Sequence, residues 1–387
     1  MPWKFVDLTS KVRKAGVNMF TGSSSEFVYS FPAIRGIQAG REYYTTMCPL
    51  KLVPRLFKFK EDDIPPELRA QRSLNKQRIP SLTRYILENR ETYAFSSLTV
   101  SIDGSVTFLP NGEDPIGRKI GVLAVPMEAR FLINDGQHRR AAIEEALQEA
   151  PELGEESISV VFFVDAGLER SQQMFADLNR YAVRTTRSLG LLYDHRDPMA
   201  KLANKLADNV PVFIGMTEKE KSTISNRSRK LFTLSSIYQA TKFLLQKSKG
   251  EKISRKEDAL AYEFWKVASA SIPDWLLAVQ RKVAPSELRS DFIHAHGIAL
   301  QALAIAGTSL IARYPDRWQE EMVKLRKVDW ARRNAPLWEG RAMIAGRISK
   351  SRNNIVLTAN VLKKVLGLTL DPKEQELEDR YVTARNA

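Results

Sequence analysis

A junction between a strand-like run and a helix-like run carries the residue types in this chain that are best suited to chemistry. Its six consecutive members are Asp135, Gly136, Gln137, His138, Arg139 and Arg140. The first amides of a helix lack intrahelical partners and carry the positive end of the helix dipole, so main chain and side chain can hold an anion there together. Glycine in the turn lets the backbone come close to that anion. The junction therefore indicates a polyanion or phosphate site.

Individual side chains of this signature turn, residues 135–140, have expected roles. We expect Asp135 to hold or cap the turn, and Arg139 to bind phosphate oxygens through its fork of donors. His138 is suited to act as a general acid or base, or as another phosphate donor. Gln137 is expected to contact ligand or backbone as a neutral polar group. Taken alone, so short a string is a weak signal.

The balance of charge favours polyanionic partners. The chain has 59 Lys and Arg against 45 Asp and Glu, a net charge of +14. From Gly340 through Leu370 there is no acidic residue, and a second basic tract lies at 226–230. Basic residues interleaved with serine and asparagine are suited to contact DNA phosphates, although a single basic run more often forms a solvated loop. The basic residues of the two tracts are Arg227, Arg229, Lys230, Arg341, Arg347, Lys350, Arg352, Lys363 and Lys364.

An alternation of strands and helices must position the signature turn. Strand-like runs occur at 27–31, 50–59, 119–125, 130–133 and 158–164, and helix-like runs at 66–88, 138–150 and 168–179. Residues 97–102 and 105–109 flank Asp103-Gly104 and predict a β-hairpin. The strand-helix-strand-helix order from 130 to 179 predicts an α/β core with both helix starts on the same rim of the sheet.

Beyond about residue 190 the pattern is almost wholly helical. Helical spacing occurs at 198–208, 231–247, 257–270, 287–313 and 316–327. Core packing is favoured over base stacking for the tryptophans of this region, which are Trp265, Trp275, Trp318, Trp330 and Trp338. The charged residues 371–387 are predicted to form a fraying tail.

Several classes of site and compartment are disfavoured. The chain has no apolar run near the ~20 residues of a membrane span and no signal-peptide pattern, so a cytoplasmic location without membrane contact is expected. The single cysteine, Cys48, cannot form an internal disulfide and is expected to be a buried filler, with redox sensing as the alternative. His294 and His296 are two residues apart and do not form a helical metal pair, so no zinc site is expected. Any ATPase would be of a non-Walker type.

Three blocks of sequence resemble the DGQHR-domain family, and within it the DndB proteins of DNA sulfur modification. They are the signature turn, residues 173–180 reading Gln-Met-Phe-Ala-Asp-Leu-Asn-Arg, and residues 351–358 reading Ser-Arg-Asn-Asn-Ile-Val-Leu-Thr. The resemblance implies an α+β fold with a ParB/sulfiredoxin-like α/β core at 1–190 and a helical, basic, DNA-binding region at 191–387. Sulfiredoxin has a cysteine in the equivalent turn, where this chain has Gln137, so sulfinic-acid reduction is disfavoured.

The same resemblance implies a DNA-binding transcriptional repressor of the DNA phosphorothioate modification gene cluster. ATP binding and hydrolysis would loosen its hold on double-stranded DNA. ParB proteins bind CTP at the equivalent turn, so the identity of the nucleotide stays open. Magnesium would need carboxylates such as Asp135 or Asp177. Other DNA sulfur modification proteins are expected partners, and a homo-oligomer would suit a palindromic operator.

Three sets of site residues complete the prediction. The expected catalytic pair is Asp135 and His138. The nucleotide-binding candidates are Gly136, Gln137, Arg139, Arg140, Asn179 and Arg180, and the DNA-binding candidates are Arg184, Arg187, Arg227, Arg229, Lys230, Arg347, Lys350 and Arg352. For Asn179 and Arg180 the alternative is a helix C-terminus whose dipole they complement. Two rival functions stay open: a nucleic-acid-acting enzyme, either a nickase or an ATPase accessory, and a scaffold that binds DNA only through nonspecific charge.

Overall fold

The computed structural model describes residues 28–57, 75–164, 173, 174, 176–178 and 185–386. The chain divides into two compact units, Met1–Val183 and Arg184–Ala387. The first unit holds a large sheet and the signature turn, and the second is mostly helical. The fold class is therefore α+β, as the sequence predicted.

One sheet organises the first unit. Its strands are β1 Val28–Gln38, β2 Arg41–Pro49, β3 Leu98–Asp103, β4 Thr107–Pro110, β5 Ile120–Pro126, β6 Arg130–Asp135 and β7 Ser157–Val164. Across the sheet they run in the order β4-β5-β1-β2-β7-β3-β6. The pair β3 and β7 is parallel, and the other neighbouring strands are antiparallel. The signature strand β6 is thus an edge strand of this sheet.

The predicted hairpin is wrong in its pairing. Both strands form, but β4 pairs with β5, while β3 lies between β7 and β6. Leu98, Val100 and Ile102 of β3 are fully buried, which suits a strand inside the sheet. The strand directions do not support the predicted common rim, and the start of the second predicted helix, near residue 168, lies outside the described residues. Because β6 is antiparallel to β3 and β3 is parallel to β7, the carboxyl ends of β6 and β7 lie at opposite edges.

Helices cover the sheet of the first unit. They are α1 Val53–Leu56, α2 Ile79–Glu88 and α3 Gln137–Glu149, with 3-10 turns at Leu50–Leu52, Lys76–Arg78 and Pro151–Glu155. The strand predicted at 50–59 is wrong, because residues 50–56 are helical. Pro54 lies in the first turn of α1, where its fixed φ and missing N–H suit a helix start. Cys48 is buried as predicted, and burial raises the pKa of its thiol to about 12.

The second unit consists mainly of helices and also contains short strands of two residues each. The helices are α4 Arg187–Tyr193, α5 Pro198–Asn209, α6 Leu234–Leu245, α7 Arg255–Ser271, α8 Pro273–Val279, α9 Pro285–Asp291, α10 Gly297–Arg313, α11 Trp318–Met322, α12 Ala335–Trp338, α13 Arg352–Val365 and α14 Pro372–Asn386. The strands are β8 Thr217–Glu218, β9 Phe232–Thr233, β10 Met343–Ile344 and β11 Arg347–Ile348. The five tryptophans of this unit are buried in its core, which confirms that prediction. Within the described ranges, the apolar stretches of the helices are too short to cross a membrane.

The charged C-terminal segment is a packed helix, so the predicted fraying tail is wrong. Glu378 of α14 is 2% exposed and accepts two hydrogen bonds of 2.7 Å from the Arg341 guanidinium. Glu374 pairs with Lys363 at 2.5 Å, and both side chains are buried. The charge pattern alone suggested a solvated tail, but Glu378 and Glu374 form ion pairs with Arg341 and Lys363, which lie earlier in the same unit.

Candidate functional site

The signature turn joins β6 to α3 in the first unit. Gly136 stands immediately before the helix with a φ of +109°, in the region that favours glycine. A Cβ at this position would lie 2.4 Å from Leu98 Cδ2. The turn therefore requires glycine both for its backbone conformation and for its packing. The N-cap residue of α3 is Gly136 itself, which has no side chain that could cap the helix.

Arg139 already has partners within its own unit. Its guanidinium donates to Asp135 Oδ2 at 2.8 Å and to the carbonyl oxygen of Ser97 at 3.1 Å. Asp135 thus holds the turn through an ion pair with Arg139, and it does not cap the helix. The buried Nε of Arg139 has no hydrogen-bond partner among the described residues. Nucleotide binding by Arg139 stays a prediction.

Arg140 is neutralised in a similar way. It donates to the two carboxylate oxygens of Glu144 at 2.5 and 3.4 Å, and to the Pro54 carbonyl oxygen at 3.1 Å. The neighbouring His138 accepts a hydrogen bond on Nε2 from the Asn75 amide at 3.2 Å. A phosphate entering this turn would have to compete with Asp135 and Glu144 for the two guanidinium groups.

The second sequence block is described only in part. Gln173 donates to Asp177 at 2.8 Å, as residues one helical turn apart can. Asn134, at the end of the signature strand, is buried and contacts Met174 Sδ at 3.0 Å. This block therefore contacts the end of the signature strand through Met174. Asn179, Arg180 and Arg184 lie outside the described residues, so their predicted roles stay predictions.

A cavity of about 660 Å³ lies in the second unit. Its walls come from the loop before α6, from α9 and the start of α10, and from Arg332 and Lys350. Asn226 and Lys350, which are 124 residues apart in the sequence, both line it, so the two basic tracts meet at one place. One carboxylate residue, Glu287, is found among the lining residues.

Two arginines at this cavity are bonded to carbonyl oxygens. The guanidinium of Arg289, 9% exposed, donates to the carbonyl oxygens of residues 225, 226, 228 and 230. It thereby fastens the loop that carries Arg227 and Arg229. Arg332 donates to the Ser290 and Gly346 carbonyl oxygens at 2.9 and 2.6 Å. Carbonyl dipoles satisfy the donors of these arginines but leave their positive charge uncancelled.

Lys350 lacks even carbonyl partners. It makes no hydrogen bond or ion pair with any described residue, and its side chain is exposed by surface area. Neighbouring atoms nevertheless crowd its ammonium group and lower the pKa of that group, because they displace water that would stabilise the charge. Both observations hold for a side chain that is crowded by neighbouring atoms and projects into a concave space. The side chain is therefore accessible to a ligand, although its charge is poorly solvated.

The pKa of His296 reflects the positive charges around the cavity. Its Nε2 lies 2.8 Å from the Arg289 carbonyl oxygen, which can only accept, so this nitrogen donates. Burial, together with the charges of Arg332, Lys350 and Arg289, lowers the pKa of His296 to about 4, although the hydrogen bond to the Arg289 carbonyl oxygen opposes this shift. The imidazole is therefore neutral at pH 7, and the three neighbouring cations carry the charge.

The other DNA-binding candidates of the second unit are mostly exposed. Arg187, Arg227, Arg229, Arg347 and Arg352 are exposed and have no carboxylate partner among the described residues. Lys230 instead donates to the Gly215 carbonyl oxygen at 2.9 Å. The backbone amide of Arg187 donates to Ser222 Oγ at 3.1 Å, which ties the start of α4 to a lining residue of the cavity.

Three basic residues of the acid-free stretch are not free for phosphate contact. Arg341 and Lys364 both bind Glu378, and Lys363 binds Glu374. Burial would raise the pKa of Glu378, but hydrogen bonds from Arg341 and Lys364 outweigh it and lower the pKa to about 2. Their acidic partners follow residue 370, so the local composition could not show them.

Comparison with protein families decides the identity of the chain. The family model described as DndB, DNA-sulfur modification-associated, matches residues 31–369. The chain belongs to the DndB family. The family match spans most of both units and connects the protein to DNA sulfur modification. No curated protein and no solved structure matches this DndB chain significantly.

Sequence reasoning missed several residues of the basic cavity. Arg289 lies in a segment predicted as one long helix from 287 to 313, and Arg332 lies in no recognised tract. The structure breaks that helix at 292–296, which brings the start of α10 to the cavity wall. Proline at 285 and glycine at 297 were the available signals for two separate helix starts.

Proposed function

We propose that this DndB-family protein is a DNA-binding transcriptional regulator, a repressor of the phosphorothioate modification gene cluster, and that ATP reduces its affinity for DNA. Family membership supports the connection to DNA sulfur modification. The observation that carries DNA binding is the set of exposed arginines around the second unit's cavity, none of which has a carboxylate partner among the described residues. Unpaired exposed arginines can exchange counterions for DNA phosphates.

The loop at 225–230 is a candidate phosphate-contacting element. Arg289 fixes its backbone through four carbonyl oxygens, so Arg227 and Arg229 are presented from an anchored loop. Anchoring lowers the conformational entropy that DNA binding would otherwise cost. Arg347 and Arg352 flank Lys350 on the second tract. Phosphate contacts from these groups would supply affinity, whereas sequence selectivity requires base contacts or DNA shape.

ATP would act at the signature turn. Its phosphates would compete with Asp135 and Glu144 for Arg139 and Arg140, which are now in ion pairs. If the rearranged turn belongs to a state with lower DNA affinity, ATP shifts the population toward that state. Hydrolysis would then restore the DNA-binding state. The coupling is part of the proposal and is tested separately from DNA binding.

Fluorescence anisotropy with labelled duplexes tests DNA binding. We expect the promoter of the modification cluster to bind more tightly than a scrambled duplex at matched ionic strength. The double variant Arg227→Ala/Arg229→Ala should weaken binding about tenfold or more. It should also reduce the slope of log affinity against log salt concentration by the equivalent of about two phosphate contacts. The control Lys249→Ala/Lys252→Ala removes the same charge from another exposed loop of this unit. Equal affinity for both wild-type duplexes would contradict selective regulation.

The same assay with and without ATP tests the coupling. We expect ATP to weaken the promoter complex of the wild type, and to have little effect on Arg139→Ala. If ATP changes the affinity of neither protein, the ATP switch fails while DNA binding stands. Incubation of supercoiled plasmid with protein and Mg²⁺ separates the regulator from a nickase, because a regulator leaves the plasmid closed.

A further inference from the structure

The cavity of the second unit concentrates positive charge that no ion pair among the described residues neutralises. Arg289, Arg332 and Lys350 line it together with one carboxylate residue, Glu287, which is exposed. The three cations act together on His296, since each of them lowers its pKa. Placing like charges close together is unfavourable unless an anion joins them.

Lys350 lies at the positive end of a helix, where its own charge is disfavoured. A Cβ built on Gly297, the first residue of α10, would lie 3.3 Å from Lys350 Nζ. The α10 helix has 17 residues, and the side chain of its N-cap residue, His296, does not cap it. A cation beside a helix amino terminus opposes the helix dipole. An anion between the ammonium group and the helix amides would satisfy both.

A second helix begins at the same cavity. Thr233 caps α6, and its side chain and that of Ser236 contact each other at 2.7 Å. Both residues line the cavity. The absence of a side chain at Gly297 is what admits Ser236, because a Cβ there would lie 2.4 Å from Ser236 Oγ. Hydroxyl groups, the start of α10 and an ammonium group without a partner among the described residues are a combination that can bind phosphate.

We propose that this cavity binds the phosphate groups of a free small molecule of nucleotide size, with Lys350 and the start of α10 as its anion-binding groups. A volume of about 660 Å³ is within the range of small-molecule and cofactor sites, roughly 300 to 1,000 Å³. The site lies in the second unit and shares no residue with the signature turn. It goes beyond the proposed regulator, in which ATP acts at Arg139.

Calorimetric titration of the full-length protein tests this site. ATP and inorganic phosphate are titrated separately into wild type, Lys350→Met, Lys350→Arg and Lys282→Met, the last removing an exposed lysine outside the cavity. We expect Lys350→Met to weaken phosphate, and the ATP binding that does not depend on Arg139, about tenfold to a hundredfold, since a hydrogen bond to a charged group is lost. Lys350→Arg should retain part of the affinity, and Lys282→Met all of it.

Three results would overturn the inference. The first is failure of both ATP and phosphate to bind the wild type. The second is equal affinity of Lys350→Met and wild type, including the case in which Arg139→Ala abolishes ATP binding and Lys350→Met does not. The third is a dependence on Lys350 that appears with a short DNA duplex but with neither free ligand, which would assign the cavity to a backbone phosphate of DNA. Failure of promoter selectivity alone leaves this site standing.

Discussion

The signature turn and the basic cavity hold their positive charges in different ways. At the turn, Arg139 and Arg140 are each paired with a carboxylate four residues away in the sequence. At the cavity, two arginines are bonded to carbonyl oxygens and Lys350 is bonded to nothing described. A paired arginine gives up a partner when it binds phosphate, whereas an unpaired lysine gains one.

This difference separates two kinds of anion site. Binding at the turn would exchange one set of ion pairs for another, so it would require a rearrangement of the turn. Binding at the cavity would relieve repulsion that already exists, so the site is preorganised for an anion. A regulator can use both kinds, since the first is suited to switching and the second to holding.

The largest loss of stability is expected when the buried ion pair of Arg341 and Glu378 in the second unit is broken. Arg341→Ala leaves Glu378 buried without its main cation, and should cost about 3–5 kcal/mol of unfolding free energy. Arg341 and Glu378 are 10% and 3% exposed in this pair. Arg380→Ala breaks an exposed pair of 71% and 62% exposure on the same helix, and should cost about 0–1 kcal/mol. Urea denaturation compares the two variants, and equal losses would contradict the distinction.

A smaller loss is expected at the signature turn. Arg140→Ala removes hydrogen bonds to Glu144 and to the Pro54 carbonyl oxygen, and should destabilise the protein by about 1–3 kcal/mol. The matched control is Arg118→Ala, whose pair with Glu113 is exposed and should be nearly neutral. If Arg140→Ala unfolds at the same urea concentration as the wild type, its charge is not held by these partners.

The pH dependence of the free energy of unfolding provides a separate test of the charges around the cavity. The pKa of His296 is lowered from 6.5 to about 4, first by burial and then by Arg332, Lys350 and Arg289. Between these values the unfolded chain binds the proton and the folded chain does not. Stability therefore falls as pH decreases from about 6.5, by at most about 1.4 kcal/mol per pH unit for this group.

The variant His296→Gln isolates this contribution. The pKa of His294 is also lowered, by burial, so the variant should keep part of the slope and lose the share of His296. The measurement covers pH 5–6.5, which lies between the lowered pKa of His296 and the pKa of histidine in the unfolded chain. Urea denaturation across that range gives the slope, and an unchanged slope in His296→Gln would contradict the low pKa.

Local patterns predicted the signature turn well. The apolar run before Asp135 and the glycine after it correctly located the end of β6 and the start of α3. The family resemblance and the fold class are likewise confirmed. These features depend on neighbouring residues, so they can be recognised in a short window of sequence.

Features that depend on distant partners could not be predicted in this way. The strands β3 and β4 were recognised, but Asp103-Gly104 suggested a hairpin that the sheet does not contain. The acid-free stretch makes Arg341 and Lys363 suited by type to phosphate contact, because their partners Glu378 and Glu374 lie beyond it. Arg289 was missed because its partners are carbonyl oxygens about 60 residues earlier, which no side-chain pattern reveals.

Thermal unfolding of wild type and Lys350→Met, with and without phosphate at matched ionic strength, tests the central claim that the cavity's positive charge is uncompensated. Without phosphate, the variant should melt about 1–2 °C higher, because a cation beside a helix amino terminus costs about 0.3–1 kcal/mol. Phosphate should raise the Tm of the wild type and leave that of the variant nearly unchanged. A variant that melts lower without phosphate, together with equal stabilisation of both proteins by phosphate, would contradict the claim.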